Sequence, residues 1–292
     1  MTNELKADLS IVIVTLIWGS SFPLISVALK DMSPYSYVFY RFMISSLIMI
    51  ILFHKKFKQI NKDIIKASFY IGISLFLGTI FQIVGLVYTT ASKSGFITGF
   101  YVVIVPILVS IIYKRRPENK TVLGVILAFI GLAMLSLNGD KNINIGDILT
   151  LICAVFFAVQ IVLIDRFSKG KDAILLTTLE MIIVTFLSFF VALYLGQLKI
   201  NLSILTIITL LYTSIFCTLV GYGLQNKMQP YLKPTHAAII FLLEPVFGAI
   251  FSTFIGDKIT IRILIGAIFI FMGMLITSVK INLRREKNDF IL

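Results

Sequence analysis

The stretch VLGVILAFIGLAML at 122–135 decides the fold class, because none of its fourteen residues is charged or strongly polar. A spanning helix needs about 20 predominantly apolar residues, and comparable apolar runs recur along the chain. The composition agrees, since 58% of the residues are hydrophobic and 14% are charged, whereas a soluble domain is about 25% charged. Mean hydropathy is +0.99. The sequence therefore predicts an all-α polytopic membrane protein.

Apolar runs bounded by charges or turn residues predict ten transmembrane helices. Strands of a membrane barrel would alternate apolar and polar residues, and these runs are too long and too uniformly apolar for that pattern. The predicted spans are 9–29, 35–53, 67–89, 95–113, 121–137, 147–164, 174–195, 203–225, 235–256 and 260–280.

Lysine and arginine are concentrated in every second connection between these spans. Basic clusters fall at 55–66, 114–120 and 166–171, whereas the connections between them carry single basic residues such as Lys30 and Lys93. Short basic loops stay on the cytoplasmic side, so both termini are predicted to be cytoplasmic. The net charge of +12 is scattered as membrane anchors are, and we therefore predict no nucleic-acid partner.

A second copy of the opening stretch, ILIGAIFIFMGMLI at 263–276, has the same spacing of two glycines. Gly124 and Gly131 in the first copy correspond to Gly266 and Gly273 in the second. Seven residues are two helical turns, so each pair lies on one helix face. Each pair is predicted to admit a closely packed neighbouring helix.

The correspondence extends upstream of these glycines. IVPILVSII at 104–112 matches LEPVFGAIF at 243–251, which places Pro106 and Pro245 139 residues apart. The same offset carries the first predicted span onto the sixth and the second onto the seventh.

Five spans per repeat is an odd number, so the second half is predicted to enter the membrane inverted relative to the first. The predicted halves are 1–140 and 141–292, and the second ends in a short basic cytoplasmic tail. Inverted repeats place a substrate site at their interface near mid-membrane and work by alternating access.

Four stretches also resemble signature segments of the EamA-like permeases of the drug/metabolite transporter superfamily. They are WGSSFP at 18–23, YRF at 40–42, TTASKSGFITGFYVVIVP at 89–106 and THAAIIFLLEPVFGAI at 235–250. The resemblance covers essentially the whole chain. It implies a ten-helix carrier of the inner membrane, with both termini inside, that moves amino acids or amphipathic organic compounds, usually outward.

Three ionisable side chains lie within predicted spans, where each costs about 2.5–3.5 kcal/mol on insertion scales and marks a candidate functional site. Glu244 could bind a cationic substrate group, carry a coupling proton, or accept hydrogen bonds from a neighbouring helix. Arg41 could extend to the outer interface as a structural or gating anchor. Glu180 could serve substrate or proton, or pair with the basic loop at 166–171.

Uncharged polar and aromatic side chains that interrupt the aliphatic helices predict the lining of a cavity. A cavity with few charges suits a small zwitterion or amphipathic molecule better than a phosphorylated one, which needs several basic groups. The predicted substrate-binding residues are Trp18, Ser21, Gln82, Thr98, Tyr101, Gln160, Tyr212, Tyr222 and Glu244, and the predicted coupling or gating residues are Arg41, Glu180 and Glu244.

Other functional classes find less support in the sequence. The chain has only two histidines, His54 and His236, far from a His-Glu-x-x-His motif, and no phosphate loop ending in Gly-Lys-Ser or Gly-Lys-Thr. Cys153 and Cys217 lack the spacing of metal ligands. We therefore predict no enzyme, no cofactor and no metal.

The sequence favours a secondary active carrier that works by alternating access, and the resemblance implies export. A passive channel or facilitator is the first alternative, although no ring of like charges or filter loop is present. An intramembrane enzyme is the second. The expected partners are a small-molecule substrate, the lipid bilayer, and either protons or a counter-solute, with the protein a monomer.

Overall fold

The structure is a computed structural model, and it describes residues 2–114, 116–136, 144–198, 203–253 and 260–278. Within these ranges the chain is helical and forms no β-strand. The predicted boundary between the halves, at 140 and 141, and the predicted basic tail lie outside the described residues.

The α-helices are separated by short turns, by 3₁₀ segments at His54–Gln59 and Gln229–Tyr231, and by a π-helix at Thr213–Val220. In chain order they are α1 (Asn3–Asp31), α2 (Pro34–Phe53), α3 (Lys62–Tyr88), α4 (Ala91–Thr98), α5 (Tyr101–Tyr113), α6 (Asn119–Ser136), α7 (Ile145–Phe167), α8 (Ala173–Tyr194), α9 (Ile204–Tyr212), α10 (Gly221–Met228), α11 (Pro234–Phe241), α12 (Leu243–Ser252) and α13 (Ile261–Ser278).

Local capping explains where several helices begin. The Ser33 side chain accepts a hydrogen bond from the Ser36 N–H, and Pro34 occupies the first turn of α2, where its missing N–H costs nothing. At the start of α7, Asn144 and Asp147 each accept a hydrogen bond from the other's backbone N–H. This reciprocal capping box satisfies two N–H groups that the helix cannot.

Among the described residues, seven helical segments are long and apolar enough to cross a membrane. Helix α1 provides an eighth if its parts Asn3–Ser21 and Pro23–Asp31, bent by 42°, count as one span, and α6 and α13 contain shorter apolar helices. The bend falls at Pro23, whose ring disrupts the hydrogen bonding of the preceding turn. The predicted multi-pass α-helical class is confirmed, and the number ten stays a prediction.

Among the described residues, two further predicted spans contain a short break in the helix, and the two breaks lie against each other. The fourth divides into α4 and α5 around Gly99, and the ninth divides into α11 and α12 at Leu242. A Cβ atom added to Gly99 would lie 3.0 Å from the Leu242 side chain. Glycine at this position therefore lets the two broken helices touch inside the bundle.

Helices α6 and α13 pack antiparallel along their glycines. A Cβ atom on Gly124 would lie 3.0 Å from the carbonyl oxygen of Gly273, and one on Gly131 would collide with the carbonyl oxygen of Gly266. The two pairs predicted to admit a close neighbour face one another, and that prediction is confirmed. Small residues allow the backbones to approach as in other membrane bundles.

Polar contacts join helix ends at both ends of the bundle. The His236 ring at the start of α11 hydrogen-bonds Asp8 at 3.0 Å and Thr277 at 2.8 Å. These contacts bring the start of α1 and the end of α13 to the same end. At the opposite end Lys93 forms an ion pair with Asp147 at 2.8 Å.

Candidate functional site

The break between α11 and α12 exposes a carboxylate inside the bundle. Pro245 has no N–H and cannot bond the carbonyl of Phe241 four residues earlier, so the helix is interrupted near Leu242. Glu244 stands in the first turn after the break. Gly19 of α1 packs directly against this turn, because a Cβ atom there would lie 2.6 Å from the Glu244 carbonyl oxygen.

The Glu244 side chain lies deep in the protein but remains half-buried rather than fully enclosed. Within the described residues it makes no hydrogen bond and no ion pair. The carboxylate therefore keeps accessible surface but no protein partner among the described residues, although it lies between helices. Arg41, Tyr101 and Tyr222 all interact electrostatically with this carboxylate.

Aromatic rings form one wall beside the break. The Trp18 ring stacks on Phe241 with centroids 5.6 Å apart and tilts against Tyr222 at 5.2 Å. Its indole N–H donates to the carbonyl oxygen of Cys217 at 2.8 Å, which fixes the ring in place. The structure therefore brings two predicted residues, Trp18 and Tyr222, together with Phe241, which the sequence did not single out.

Arg41 points into the bundle, and the expectation that it extends to the outer interface is wrong. Only 6% of the residue is exposed. Its Nε donates to the hydroxyl of Thr218 at 2.7 Å, and its guanidinium lies 5.6 Å from the Phe42 ring centroid. The Arg41 charge is therefore stabilised inside the protein by the Thr218 hydroxyl of the π-helix and by the Phe42 ring.

Glu180 does not pair with the basic loop at 166–171, so that alternative is also wrong. It accepts a hydrogen bond from Asn226 at 2.7 Å and is fully buried. Lys169 of the loop instead pairs with Asp165 at 2.7 Å. The partner of Glu180 is therefore the neutral amide of Asn226 on α10 and not a lysine or arginine of the loop.

The other predicted residues divide by their surroundings. Tyr101 and Thr98 are buried in the span that packs beside α12, and Gln82 donates to Thr98 at 3.5 Å. Ser21 donates to the Trp18 carbonyl of its own helix at 2.7 Å. Two more residues complete the set: Tyr212 shares a 2.5 Å hydrogen bond with Ser20, and Gln160 is buried with no partner for its Nε2 among the described residues.

Comparison with known proteins places this arrangement in a family. A sequence model of the EamA-like transporter family matches twice, at residues 5–137 and 144–279. An Archaeoglobus fulgidus protein named "Uncharacterized transporter" is 39% identical over 280 residues, covering 96% of this chain and 88% of its own. An Escherichia coli protein named "Probable amino-acid metabolite efflux pump" is 24% identical over 290 residues, covering 94% and 95% respectively.

A solved crystal structure shares the fold at 13% sequence identity. Its TM-score is 0.78, and the match covers 94% of this chain and 97% of the other. Apolar helices, an interrupted span and these relatives define a multi-pass membrane transporter. The chain belongs to the EamA-like transporter family, which confirms the resemblance seen in its four signature stretches.

Proposed function

We propose that this protein is a secondary carrier that exports small zwitterionic or amphipathic metabolites, such as amino acids, by alternating access. It would act as a monomer of ten spans in two inverted halves, 1–140 and 141–292. It would lie in the inner or plasma membrane with both termini in the cytoplasm. Protons or a counter-solute would drive transport.

The observation that carries the proposal is the unpartnered carboxylate of Glu244 at the helix break. A buried carboxylate without a protein partner is costly, and an ammonium group on a solute would supply the missing partner. Glu244 is the acidic residue in the first turn of α12. Glu244 therefore suits a substrate that carries an amine.

Opposite charges and aromatic rings define the rest of the substrate class. The buried Arg41 guanidinium lies within electrostatic reach of Glu244, so a zwitterion could direct its carboxylate toward Arg41 and its ammonium toward Glu244. The wall formed by Trp18, Tyr222 and Phe241 suits an apolar side chain. A relative named as an amino-acid metabolite efflux pump is consistent with this class.

Mirrored contacts support the inverted repeat. Trp18 and Phe157 are 139 residues apart, the offset already seen for the two prolines. A Cβ atom on Gly221 would lie 2.6 Å from Trp18, and one on Gly78 would lie 2.5 Å from Phe157. The first contact joins spans one and eight, and the second joins spans six and three. The pairing of spans is therefore mirrored, although the two glycines are 143 residues apart rather than 139.

The glycine contacts between α6 and α13 are also consistent with an inverted repeat. If Gly124 corresponds to Gly266 and Gly131 to Gly273, the contact of Gly124 with Gly273 becomes the contact of Gly266 with Gly131. Both contacts are present. Exchanging the two repeats therefore exchanges these two contacts. This is expected for a pseudo-two-fold axis between the halves, about which they could rock.

Counterflow in proteoliposomes tests the carrier mechanism. Vesicles are loaded with one unlabelled compound from a panel of neutral, cationic and phosphorylated metabolites, and the same labelled compound is added outside. We expect transient accumulation of a neutral amino acid and none of a phosphorylated compound. Glu244→Gln should abolish accumulation, whereas Glu118→Gln, an exposed carboxylate paired with Lys233, should leave it unchanged.

A channel would give a different result in the same vesicles. Flux that rises linearly with concentration and shows no counterflow would overturn the carrier proposal. Single cysteines in a cysteine-free background test the topology: one at Ser33 should react with an impermeant thiol reagent from outside, and one at Asn61 or Ser168 should not. The reverse labelling pattern would contradict the proposed orientation.

A further inference from the structure

Glu180 forms a second polar site on the unbroken helix α8. It is 0% exposed. Its Oε2 atom accepts a hydrogen bond from Nδ2 of Asn226 on α10, and the same Nδ2 atom donates to the Thr177 hydroxyl at 2.9 Å. Because the Asn226 amide bridges both residues, the acid is held against α10.

Two oxygen atoms of this pair lack a hydrogen-bond partner among the described residues. They are Oε1 of Glu180 and Oδ1 of Asn226. If Glu180 is ionised, both atoms are acceptors and both stay unsatisfied, which native interiors rarely tolerate. A proton on Oε1 turns one of them into a donor, so that the carboxylic acid can pair with the carboxamide through both its oxygens.

No cation in the described part of the chain balances Glu180. Helix α8 packs against α2, α3 and α10, and no tyrosine of these helices hydrogen-bonds the acid. The charged side chains of these three helices are Arg41, Lys62, Asp63, Lys66 and Lys227. Arg41 instead bonds Thr218, and the other four are exposed at helix ends.

A recess connects this pair to one end of the bundle. It has a volume of about 860 Å³, and its walls include Asn226, Lys171, Lys227 and the apolar side chain of Met49. Asn226 is therefore both a wall residue of the recess and the partner of Glu180. Asn226 is only 2% exposed, so its side chain separates Glu180 from the recess, and movement of this one side chain would give water in the recess access to the acid.

We propose that Glu180 and Asn226 form the proton-binding site of the transport cycle, separate from the solute site at Glu244. This inference rests on the proposed carrier function. Glu180 would take one proton at Oε1, carry it as a buried neutral acid, and release it on the recess side. Inward movement of that proton would drive solute outward through the Glu244 cavity.

Infrared spectroscopy of the full protein in lipid tests proton binding without any solute. We expect a carboxylic acid C=O band that grows as the pH falls, disappears in Glu180→Gln and persists in Glu244→Gln. Asn226→Leu should shift the band, because the acid loses its amide partner while the fold keeps a side chain of similar size. A titrating band that is unchanged in both Glu180→Gln and Asn226→Leu would overturn the proposal.

Transport by the same variants separates this inference from the proposed function. The probe is the labelled neutral amino acid that gives counterflow in the wild-type protein. Glu180→Gln should lose accumulation driven by a pH gradient but keep counterflow, which needs no net proton movement. Gradient-driven accumulation that survives in Glu180→Gln, or that follows a sodium gradient, would overturn the proton site. Absence of wild-type counterflow would instead overturn the carrier function, whatever the infrared result.

Discussion

Glu244 and Glu180 are acidic residues in apolar helices, but their surroundings differ. Glu244 follows a helix break, is half-buried and has no partner among the described residues. Glu180 lies in the continuous helix α8, is fully buried and is bonded to Asn226. One carboxylate therefore keeps accessible surface next to a helix break, whereas the other is enclosed and bonded to a neighbouring amide.

The backbone explains this difference. Where Pro245 interrupts the helix, freed carbonyl groups are tolerable only against protein or a wet cavity. In the continuous helix α8 the interior peptide groups are bonded within the helix, and the buried Glu180 side chain finds its partner on the neighbouring helix α10. Helix discontinuity therefore explains why Glu244 keeps accessible surface whereas Glu180 does not.

The largest effect is expected for binding at Glu244. Glu244→Gln removes a charge that would pair with the substrate ammonium in a desolvated site, which costs about 3 kcal/mol or roughly 100-fold in affinity. Glu180→Gln should leave affinity unchanged in the same assay, equilibrium binding of the labelled amino acid. Equal losses in both variants would remove the distinction between the two sites.

The stability of the folded protein should depend on the Glu180 site, through its partner Asn226. Asn226→Leu deprives Glu180 of its partner and should destabilise the protein by about 2 kcal/mol, seen as a lower melting temperature in detergent. Gln160→Leu is the matched control, because the Gln160 Nε2 has no partner to lose among the described residues. A melting temperature lowered as much by the control would show that Asn226 is not special.

A smaller effect is expected at the aromatic wall. Trp18→Phe keeps a ring beside Phe241 but removes the N–H that donates to Cys217. Loss of this bond should weaken binding by about 1 kcal/mol, roughly fivefold, as measured by scintillation proximity. Affinity that falls as far as in Glu244→Gln would assign the main binding role to the ring rather than the carboxylate.

The smallest effect concerns the rim of the recess near Glu180. Burial raises the pKa of Asp172, but hydrogen bonds from Lys56 and from the Leu175 N–H outweigh it, so the pKa lies below its ordinary value of 3.8. The stabilisation is therefore present above that pH and is lost as the pH falls through the lowered value. Lys56→Gln should cost less than about 1 kcal/mol at neutral pH.

Melting temperatures across an acid series check this sign. The gap between Lys56→Gln and the wild-type protein should be constant near neutral pH and shrink as the pH falls through the lowered pKa of Asp172. It should close only below that pKa, where Asp172 is protonated in both proteins. A gap that widens in acid would mean that the ion pair of Lys56 and Asp172 does not stabilise the rim.

The sequence predicted features that depend on spacing within one helix. Two glycines seven residues apart indicated a face for close packing, and Gly124 and Gly131 occupy that face. Trp18 stood out as an aromatic residue beside glycine and serine, and Glu244 as a charge in an apolar run. These signals are local, so they survive without knowledge of neighbouring helices.

Features that depend on contacts between helices were not predictable in this way. The π-helix at Thr213–Val220 has more residues per turn than an α-helix and rotates the faces that follow it. On α10, Gln225 donates to Gln229 at the start of the next 3₁₀ segment, while the adjacent Asn226 reaches Glu180. The inward direction of Arg41 likewise depends on Thr218, which lies 177 residues away in the chain.

Fluorescence of Trp18 tests the central claim, that solute binds in the cavity at the Glu244 break, most directly. Trp18 is the only tryptophan in the chain and stacks on Phe241 beside that break. Titration with the transported amino acid should change its emission saturably, with the half-saturation found for counterflow, and Glu244→Gln should abolish the change. Emission that does not respond, or that responds equally in Glu244→Gln, would contradict the placement of the solute site.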